Sequence, residues 1–144
     1  MRIADLRPGV ELGPSGWREI TQARIDAFAA ATDDPQWIHV DPARAASGPF
    51  GTTIAHGYLT LSLLVPIAYE LLPVEDAALA LNYGLDRVRF PAPVPSGSRI
   101  RARFSVEAVR EVAGGVQVTL AATVEREGAE KPVCVATVVF RFVR

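Results

Sequence analysis

The 144-residue chain contains a single cysteine, Cys134, which excludes an internal disulfide and any cysteine-based metal cluster. Its net charge of −1 lacks the excess of one sign that a general polyanion binder needs, so we expect no nucleic-acid partner. The longest apolar run, residues 58–72, is interrupted by Pro66 and Glu70 and is too short to span a bilayer comfortably. The N-terminus has no apolar signal core, so we expect a cytoplasmic protein with no membrane partner.

Several other features are absent from the chain. No repeat, low-complexity segment or linker divides it, so residues 1–144 are predicted to form one domain. No glycine-rich phosphate loop follows a strand, and the two histidines lack the paired spacing of a zinc helix. We therefore expect no metal, flavin or nucleotide cofactor. The valines around Cys134 predict that its thiol is buried in a strand and unreactive.

The first half of the chain is predicted to be mostly helical. Thr21 is a predicted N-cap for an amphipathic helix that residues 33–35 (Asp-Asp-Pro) end. Asp41-Pro42 then begins a short second helix, with the aspartate as cap and the proline at its first position. Residues 58–72 are apolar nearly all round, which predicts a helix that protein must enclose.

The second half alternates polar and apolar residues in strand fashion. Four strands are predicted, at residues 79–90, 99–111, 116–127 and 133–143. Three prolines separate the first two strands, and Gly114-Gly115 and Gly128 mark hairpin turns. A buried helix followed by a long antiparallel meander predicts an α+β hotdog fold, an antiparallel sheet wrapped around a central helix. A single sheet leaves the ends of a site open, so we expect a homodimer joined edge to edge.

The most informative stretch is Asp34-Pro35-Gln36-Trp37-Ile38-His39-Val40-Asp41. It presents Asp34 and His39 from one predicted loop, where they can hold a single water between them. Gly57 opens the long apolar segment and can offer an unobstructed N–H to a carbonyl oxygen. These groups are what the addition of water across a polarised double bond requires.

Together with the C-terminal strands, these residues resemble the MaoC-like dehydratases, the (R)-specific enoyl-CoA hydratases, and among them the nodulation-protein-N-like branch. The resemblance covers residues 21–143 and is strongest over residues 33–64 and 81–102. The family loop usually reads Gly-Asp-x-Asn-Pro-Leu/Ile-His-x-Asp, and its Asp and His match Asp34 and His39. Asp33 replaces the glycine, Gln36 the asparagine and Trp37 the proline. Aspartate tolerates a left-handed backbone, so Asp33 need not distort the loop.

The resemblance implies hydration of a trans-2-enoyl thioester to an (R)-3-hydroxyacyl product, with coenzyme A as the expected carrier and acyl carrier protein as the alternative. We favour Asp34 as the base and His39 as the water-orienting partner and proton relay, although sequence does not separate these roles. Gly57 is expected to donate its N–H to the thioester oxygen. We interpret His56 as a structural residue that orients the loop and that lacks an obvious neighbouring carboxylate.

Other interpretations remain open from the sequence. Asp34 could cap a turn, His39 could fill the core, and Gly57 could serve close packing only. The alternating arginines at 99, 101 and 103 could bind phosphates or form an ordinary solvated strand face. Alternative functions are a hotdog acyl-thioesterase, which would release free thiol, and a non-catalytic acyl-binding subunit.

Overall fold

A computed structural model describes all 144 residues. After a 3₁₀ turn at Ile3–Asp5, the elements in chain order are β1 (Glu11–Leu12), β2 (Arg18–Glu19), α1 (Gln22–Thr32), α2 (Trp37–Val40), α3 (Pro42–Ala45), α4 (Gly57–Ser62), α5 (Leu64–Leu71), β3 (Leu79–Arg89), β4 (Arg99–Val112), β5 (Gly115–Arg126) and β6 (Cys134–Val143).

The four long strands lie where the alternating pattern predicts them. They form an antiparallel sheet of order β1-β4-β5-β6-β3, in which β2 also pairs with β4. β4, β5 and β6 are successive hairpin strands, and their turns contain Gly114 and Gly128 at φ of 79° and 77°. Side chains rarely tolerate these positive φ values, so the glycines mark the turns as predicted.

The predicted four-strand meander is wrong at its first step. β3 pairs with β6 rather than with β4 and therefore forms the far edge of the sheet. The connection from β3 to β4, residues 90–98, carries three prolines and is longer than a hairpin turn. The edge of β4 that faces away from β5 is occupied by β1 and β2. These two-residue strands were not predicted, because such short segments show no alternation.

The apolar segment predicted as one helix forms two, α4 and α5, separated at Leu63. The break places Pro66 in the first turn of α5, where a missing N–H has no cost. The expectation that protein encloses this segment is also wrong for the single chain, because Tyr58 and Tyr69 are 71% and 54% exposed. Leu64 and Ile67 of α5 are buried. None of the helices combines the length and the apolar character needed to cross a membrane.

The core lies between α5 and one face of the sheet, which is the hotdog arrangement. Alternate residues of β4 are fully buried there: Ile100, Ala102, Phe104 and Val106. Cys134 at the start of β6 is also fully buried, and burial raises the pKa of its thiol to about 11. The thiol is therefore protonated at neutral pH, in agreement with the predicted buried, unreactive cysteine.

Candidate active site

The turn that ends α1 carries the carboxylate of Asp34. Thr21 caps the start of this helix by accepting a hydrogen bond from the N–H of Arg24 at 3.1 Å, which confirms the predicted cap. At the other end, Asp33 has φ 57° and ψ 36°, the left-handed conformation that glycine usually provides. The N–H of Asp34 then bonds to the carbonyl oxygen of Ala29 at 3.1 Å. These contacts hold Asp34 directly against the end of the helix.

His39 lies on the one-turn helix α2 and not in the predicted loop. Its ring is buried, and Nδ1 donates a hydrogen bond to the carbonyl oxygen of Ile54 at 2.7 Å. A carbonyl can only accept, so the neutral ring carries its proton on Nδ1 and keeps a lone pair on Nε2. Burial lowers the pKa of His39 below its ordinary value, and the neighbouring His56 lowers it further. The hydrogen bond to Ile54 and the charge of Asp34 act in the opposite direction, but the net effect is a lowered pKa. The ring is therefore neutral near pH 7.

Asp34 and His39 lie close enough to share one water. A carboxylate oxygen of Asp34 and a ring nitrogen of His39 lie within 4.8 Å of each other. A water that makes two hydrogen bonds of about 2.8 Å can bridge a gap of up to about 5.6 Å. The side chain of Asp34 is 53% exposed in the single chain, so solvent reaches it. The geometry is compatible with the predicted shared water.

The expectation that His56 has no neighbouring carboxylate is wrong. Its Nε2 lies 3.8 Å from Oδ2 of Asp34 and donates a hydrogen bond to the carbonyl oxygen of the same residue at 3.0 Å. The ring stacks on that of His39, with centroids 3.7 Å apart and planes inclined by 22°. Its other nitrogen, Nδ1, is buried and has no hydrogen-bond partner. His56 therefore touches both members of the pair, and it holds the backbone of Asp34 in place.

The same three residues form the one group of side chains whose ligand atoms lie close enough together to hold a metal ion. One ligand atom from each of Asp34, His39 and His56 lies within 4.8 Å of the others. Spacing in the sequence does not reveal this grouping, because it depends on how α1, α2 and α4 pack together. One nitrogen of each imidazole already bonds to a backbone carbonyl, on Ile54 and on Asp34. A metal held here would have to share the site with those bonds.

Gly57, the first residue of α4, lines a cavity of about 300 Å³. Its N–H belongs to the first helical turn, where no carbonyl of the helix can reach it, and it makes no other backbone hydrogen bond. Glycine is also needed for space, because a Cβ here would lie 2.9 Å from the ring of Phe90. A free donor and close packing, the two explanations open from the sequence, therefore coexist. Most of the cavity wall is apolar and includes Phe50, Ile54, Ala55, Phe90, Pro91 and Val133.

Two of the substitutions in the family loop, Gln36 and Trp37, lie between Asp34 and His39 in the chain. Trp37 begins α2 and packs against Gly48, where an added Cβ would lie 3.0 Å from the indole. The guanidinium of Arg44 stacks over the same ring at 4.3 Å. Gln36 is exposed, and its side chain makes no cap bond. Neither Gln36 nor Trp37 makes a side-chain hydrogen bond to Asp34 or His39, so the altered loop still presents both groups.

The alternating arginines of β4 pair with acidic residues of the neighbouring strand and its turn. Arg99 lies 3.2 Å from Glu127, and Arg103 lies 4.0 Å from Glu125. Arg101 bonds to the same Glu125. These pairs belong to a solvated face of the sheet, which is the ordinary explanation of such a pattern.

Comparisons with known proteins identify the family of the chain. The chain belongs to the MaoC-like family: a family model described as "MaoC like domain" matches residues 5–128. It is 54% identical over 144 residues to 3-hydroxyacyl-thioester dehydratase Z of Mycobacterium tuberculosis, covering 98% of this chain and 95% of that protein. It is 48% identical over 141 residues to nodulation protein N of Rhizobium leguminosarum bv. viciae, covering 94% and 88%. The predicted family resemblance is confirmed.

A solved structure supports the fold in the same way. The (R)-hydratase from A. caviae involved in PHA biosynthesis matches with a TM-score of 0.79 and 27% identity, over 95% of this chain and 97% of that one. The predicted hotdog class is therefore confirmed.

Proposed function

We propose that this protein is a hydro-lyase that adds water across a trans-2-enoyl thioester, and in reverse dehydrates the (R)-3-hydroxyacyl thioester. The observation that carries the proposal is the placement of the Asp34 carboxylate within 4.8 Å of a ring nitrogen of a neutral, buried His39. The names of the relatives support the same chemistry, since one is a 3-hydroxyacyl-thioester dehydratase and another an (R)-hydratase.

The pair can direct the attacking water. Asp34 and Nε2 of His39 are both acceptors, so a water that donates one hydrogen to each turns its lone pair towards the substrate. The water oxygen forms a bond to Cβ while one of its protons passes to Asp34, and the alkene electrons move towards the thioester carbonyl. Cα then receives a proton through the Asp34–His39 pair, which restores both groups. No proton or electron is left over.

Gly57 supplies the third element of the reaction. Negative charge develops on the thioester oxygen during the attack, and a fixed donor aimed at that oxygen lowers the barrier. Gly57 lines the apolar cavity, and its free N–H is the donor we assign to this role. The assignment requires the thioester carbonyl to lie against the start of α4, beside Phe90.

The same cavity supports the proposed substrate class. Its mainly apolar wall suits a fatty acyl chain. We propose coenzyme A as the carrier of that chain, with acyl carrier protein as the alternative. The reaction would then belong to fatty acid metabolism.

We also propose that the working form is a homodimer. β3 has one hydrogen-bonded neighbour, and its other edge is free. Its large apolar side chains are strongly exposed: Leu79, Leu81, Tyr83 and Leu85. An exposed, 11-residue apolar edge strand is normally paired or covered, and pairing with β3 of a second copy would do both. Tyr69 lines a cavity beside Leu79, so the uncovered helix surface adjoins this edge.

The decisive experiment mixes the purified protein with trans-2-enoyl-CoA thioesters of short and long chain. Loss of the conjugated-enoyl absorbance without release of free thiol is the expected result. Chiral analysis should return the (R)-3-hydroxyacyl product. Thiol release with the enoyl bond intact would identify a thioesterase, and binding without either change would identify a non-catalytic acyl-binding subunit. The Asp34→Asn variant is the matched control, because it keeps the side-chain size but removes the basicity.

A further inference from the structure

Two residues that the sequence analysis did not single out hold His39 in place. The amide of Gln22, the first residue of α1, donates from Nε2 to the backbone carbonyl oxygen of His39 at 2.7 Å. Its Oε1 accepts a hydrogen bond from Oγ1 of Thr53 at 2.5 Å. Thr53 is 2% exposed and directly precedes Ile54, which accepts the hydrogen bond from the His39 ring. The backbone and the ring of His39 are thus tied to the same two-residue platform, Thr53-Ile54.

The orientation of the Gln22 amide is determined by its partners. Nε2 also donates to Oδ1 of Asp26 at 2.9 Å, so both of its hydrogens are used. A flipped amide would face its oxygen towards the His39 carbonyl and the Asp26 carboxylate, which are both acceptors, and would make these two contacts unfavourable. Gln22 therefore acts as a directional clamp between α1, α2 and Thr53.

Backbone hydrogen bonds anchor the platform to neighbouring segments. The N–H of Ser96 bonds to the carbonyl oxygen of Thr53 at 2.9 Å, and the N–H of Ala55 bonds to that of Val94 at 2.8 Å. The N–H of Ile54 bonds to the carbonyl oxygen of Ile38 at 3.0 Å. By contrast, α2 is a single turn of four residues, and so short a helix has no stability of its own. The direction of the His39 ring must therefore come from these contacts between segments.

We propose that Gln22 and Thr53 are positioning residues for the hydration reaction, which set the orientation of the His39 imidazole towards the shared water. This inference rests on the proposed function. Neither residue lines the apolar cavity beside Gly57, so neither is placed to bind the acyl thioester. Loss of the clamp should therefore lower kcat and leave KM nearly unchanged.

Three substitutions test the proposal by kinetics. Gln22→Met and Thr53→Val keep the volume of each side chain and remove the hydrogen bonds, and we expect each to lower kcat by about tenfold to a hundredfold, the cost of a small displacement of a reacting group. Thr53→Ser keeps the hydroxyl and should restore kcat to within about threefold of the wild type. The matched control is Gln117→Met on β5. The Gln117 side chain accepts a hydrogen bond from Nε of Arg141 at 3.0 Å, away from the candidate site. The kcat of this variant should equal that of the wild type.

A second measurement does not depend on activity. The chain has only two histidines, so the imidazole nitrogen signals of the free protein can be assigned with one variant. Wild-type His39 should show a protonated Nδ1 and a bare Nε2, and the Gln22→Met and Thr53→Val variants should show a mixture of tautomers. Thermal unfolding checks that each variant is folded, and Gln22, which is only half-buried, provides the test if Thr53→Val does not fold.

The outcomes separate this inference from the proposed function. A wild-type protein that hydrates no enoyl thioester refutes the function, while the nitrogen signals still report whether the clamp orients His39. Unchanged kcat and unchanged signals in the folded variants would overturn the clamp. So would a loss that appears in KM alone, or a Thr53→Ser variant as impaired as Thr53→Val.

Discussion

The two explanations for Gly57, a hydrogen-bond donor and a residue that leaves space for Phe90, can be separated by substitution. A Cβ at position 57 would lie 2.9 Å from the Phe90 ring, whereas carbon atoms pack best at about 3.5–4.0 Å. Gly57→Ala alone should therefore destabilise the fold by about 1–3 kcal/mol, the usual cost of overpacking, measured by urea unfolding. Combining it with Phe90→Ala removes the clash and should recover most of that stability.

The informative comparison is between Gly57→Ala and Gly57→Pro, both in the Phe90→Ala background. Both fill the space at position 57, but only proline removes the N–H. The backbone accepts proline here, because position 57 is the first residue of a helix and His56 has φ −59° and ψ 138°, the extended conformation that precedes proline. Loss of one oxyanion donor should lower kcat by about a hundredfold to a thousandfold, or about 2.7–4 kcal/mol.

The assay is enoyl thioester hydration, followed by loss of conjugated-enoyl absorbance. The Gly57→Ala double variant should stay within about threefold of Phe90→Ala alone, because its N–H is intact and such a change is under about 1 kcal/mol. If the folded Gly57→Pro double variant hydrates substrate as fast as the Gly57→Ala double variant, the N–H has no catalytic role, and Gly57 serves packing only.

Three further predictions follow from the site and the sheet edge. Asp34→Asn and His39→Ala should each lower the turnover rate by roughly two to four powers of ten. The double variant should be little worse than the poorer single variant, because the effects of two groups that share one water are non-additive. Near wild-type rates in both folded single variants would show that Asp34 and His39 are not the catalytic pair. The pKa of His39 is lowered in the fold, so the unfolded chain takes up the proton at a higher pH than the folded protein does. The contribution of His39 to stability should therefore be full above the ordinary histidine pKa of about 6.5 and should be lost as pH falls from there through the lower pKa of the folded state. Urea unfolding at several pH values should show this slope, and His39→Gln should flatten it. Leu85→Lys on the free edge of β3 should give a monomer in light scattering. The control is Val135→Lys, which changes a similarly exposed apolar residue of the interior strand β6 and should remain dimeric. A dimeric Leu85→Lys variant would argue against the β3 interface.

The strands were predicted well because their signal is local. Alternation along β4 matches its burial pattern, and the glycine turns bound β5 to within one residue of its predicted start and end. The partner of β3 was predicted wrongly because the pairing of strands across a long connection is decided by which edges remain free. The break at Leu63 follows from Pro66, a signal that was present in the sequence and was not used to divide the helix.

For the candidate site, the sequence predicted that Asp34 and His39 lie close together better than it predicted how they are held. Asp34 and His39 could be chosen by their spacing and family resemblance, because both lie within one short motif. The contact between His56 and Asp34 spans 22 positions and exists only because the start of α4 packs against the end of α1. No local pattern reports such a contact, so His56 was assigned an orienting role without its main partner.

Hydrogen bonds between segments explain how the side chains of this site are held in a defined geometry although the segments that carry them are short. Asp34 follows a helix end, His39 lies on a single turn, and Gly57 begins a six-residue helix. None of these segments holds its shape by helix propensity alone. Their geometry comes instead from bonds between segments: Nδ1 of His39 to Ile54, Nε2 of His56 to Asp34, and the amide of Gln22 to His39. Substitutions at such bonds should therefore change the rate of the reaction more than the stability of the fold, since the sheet and α5 contain most of the buried apolar core.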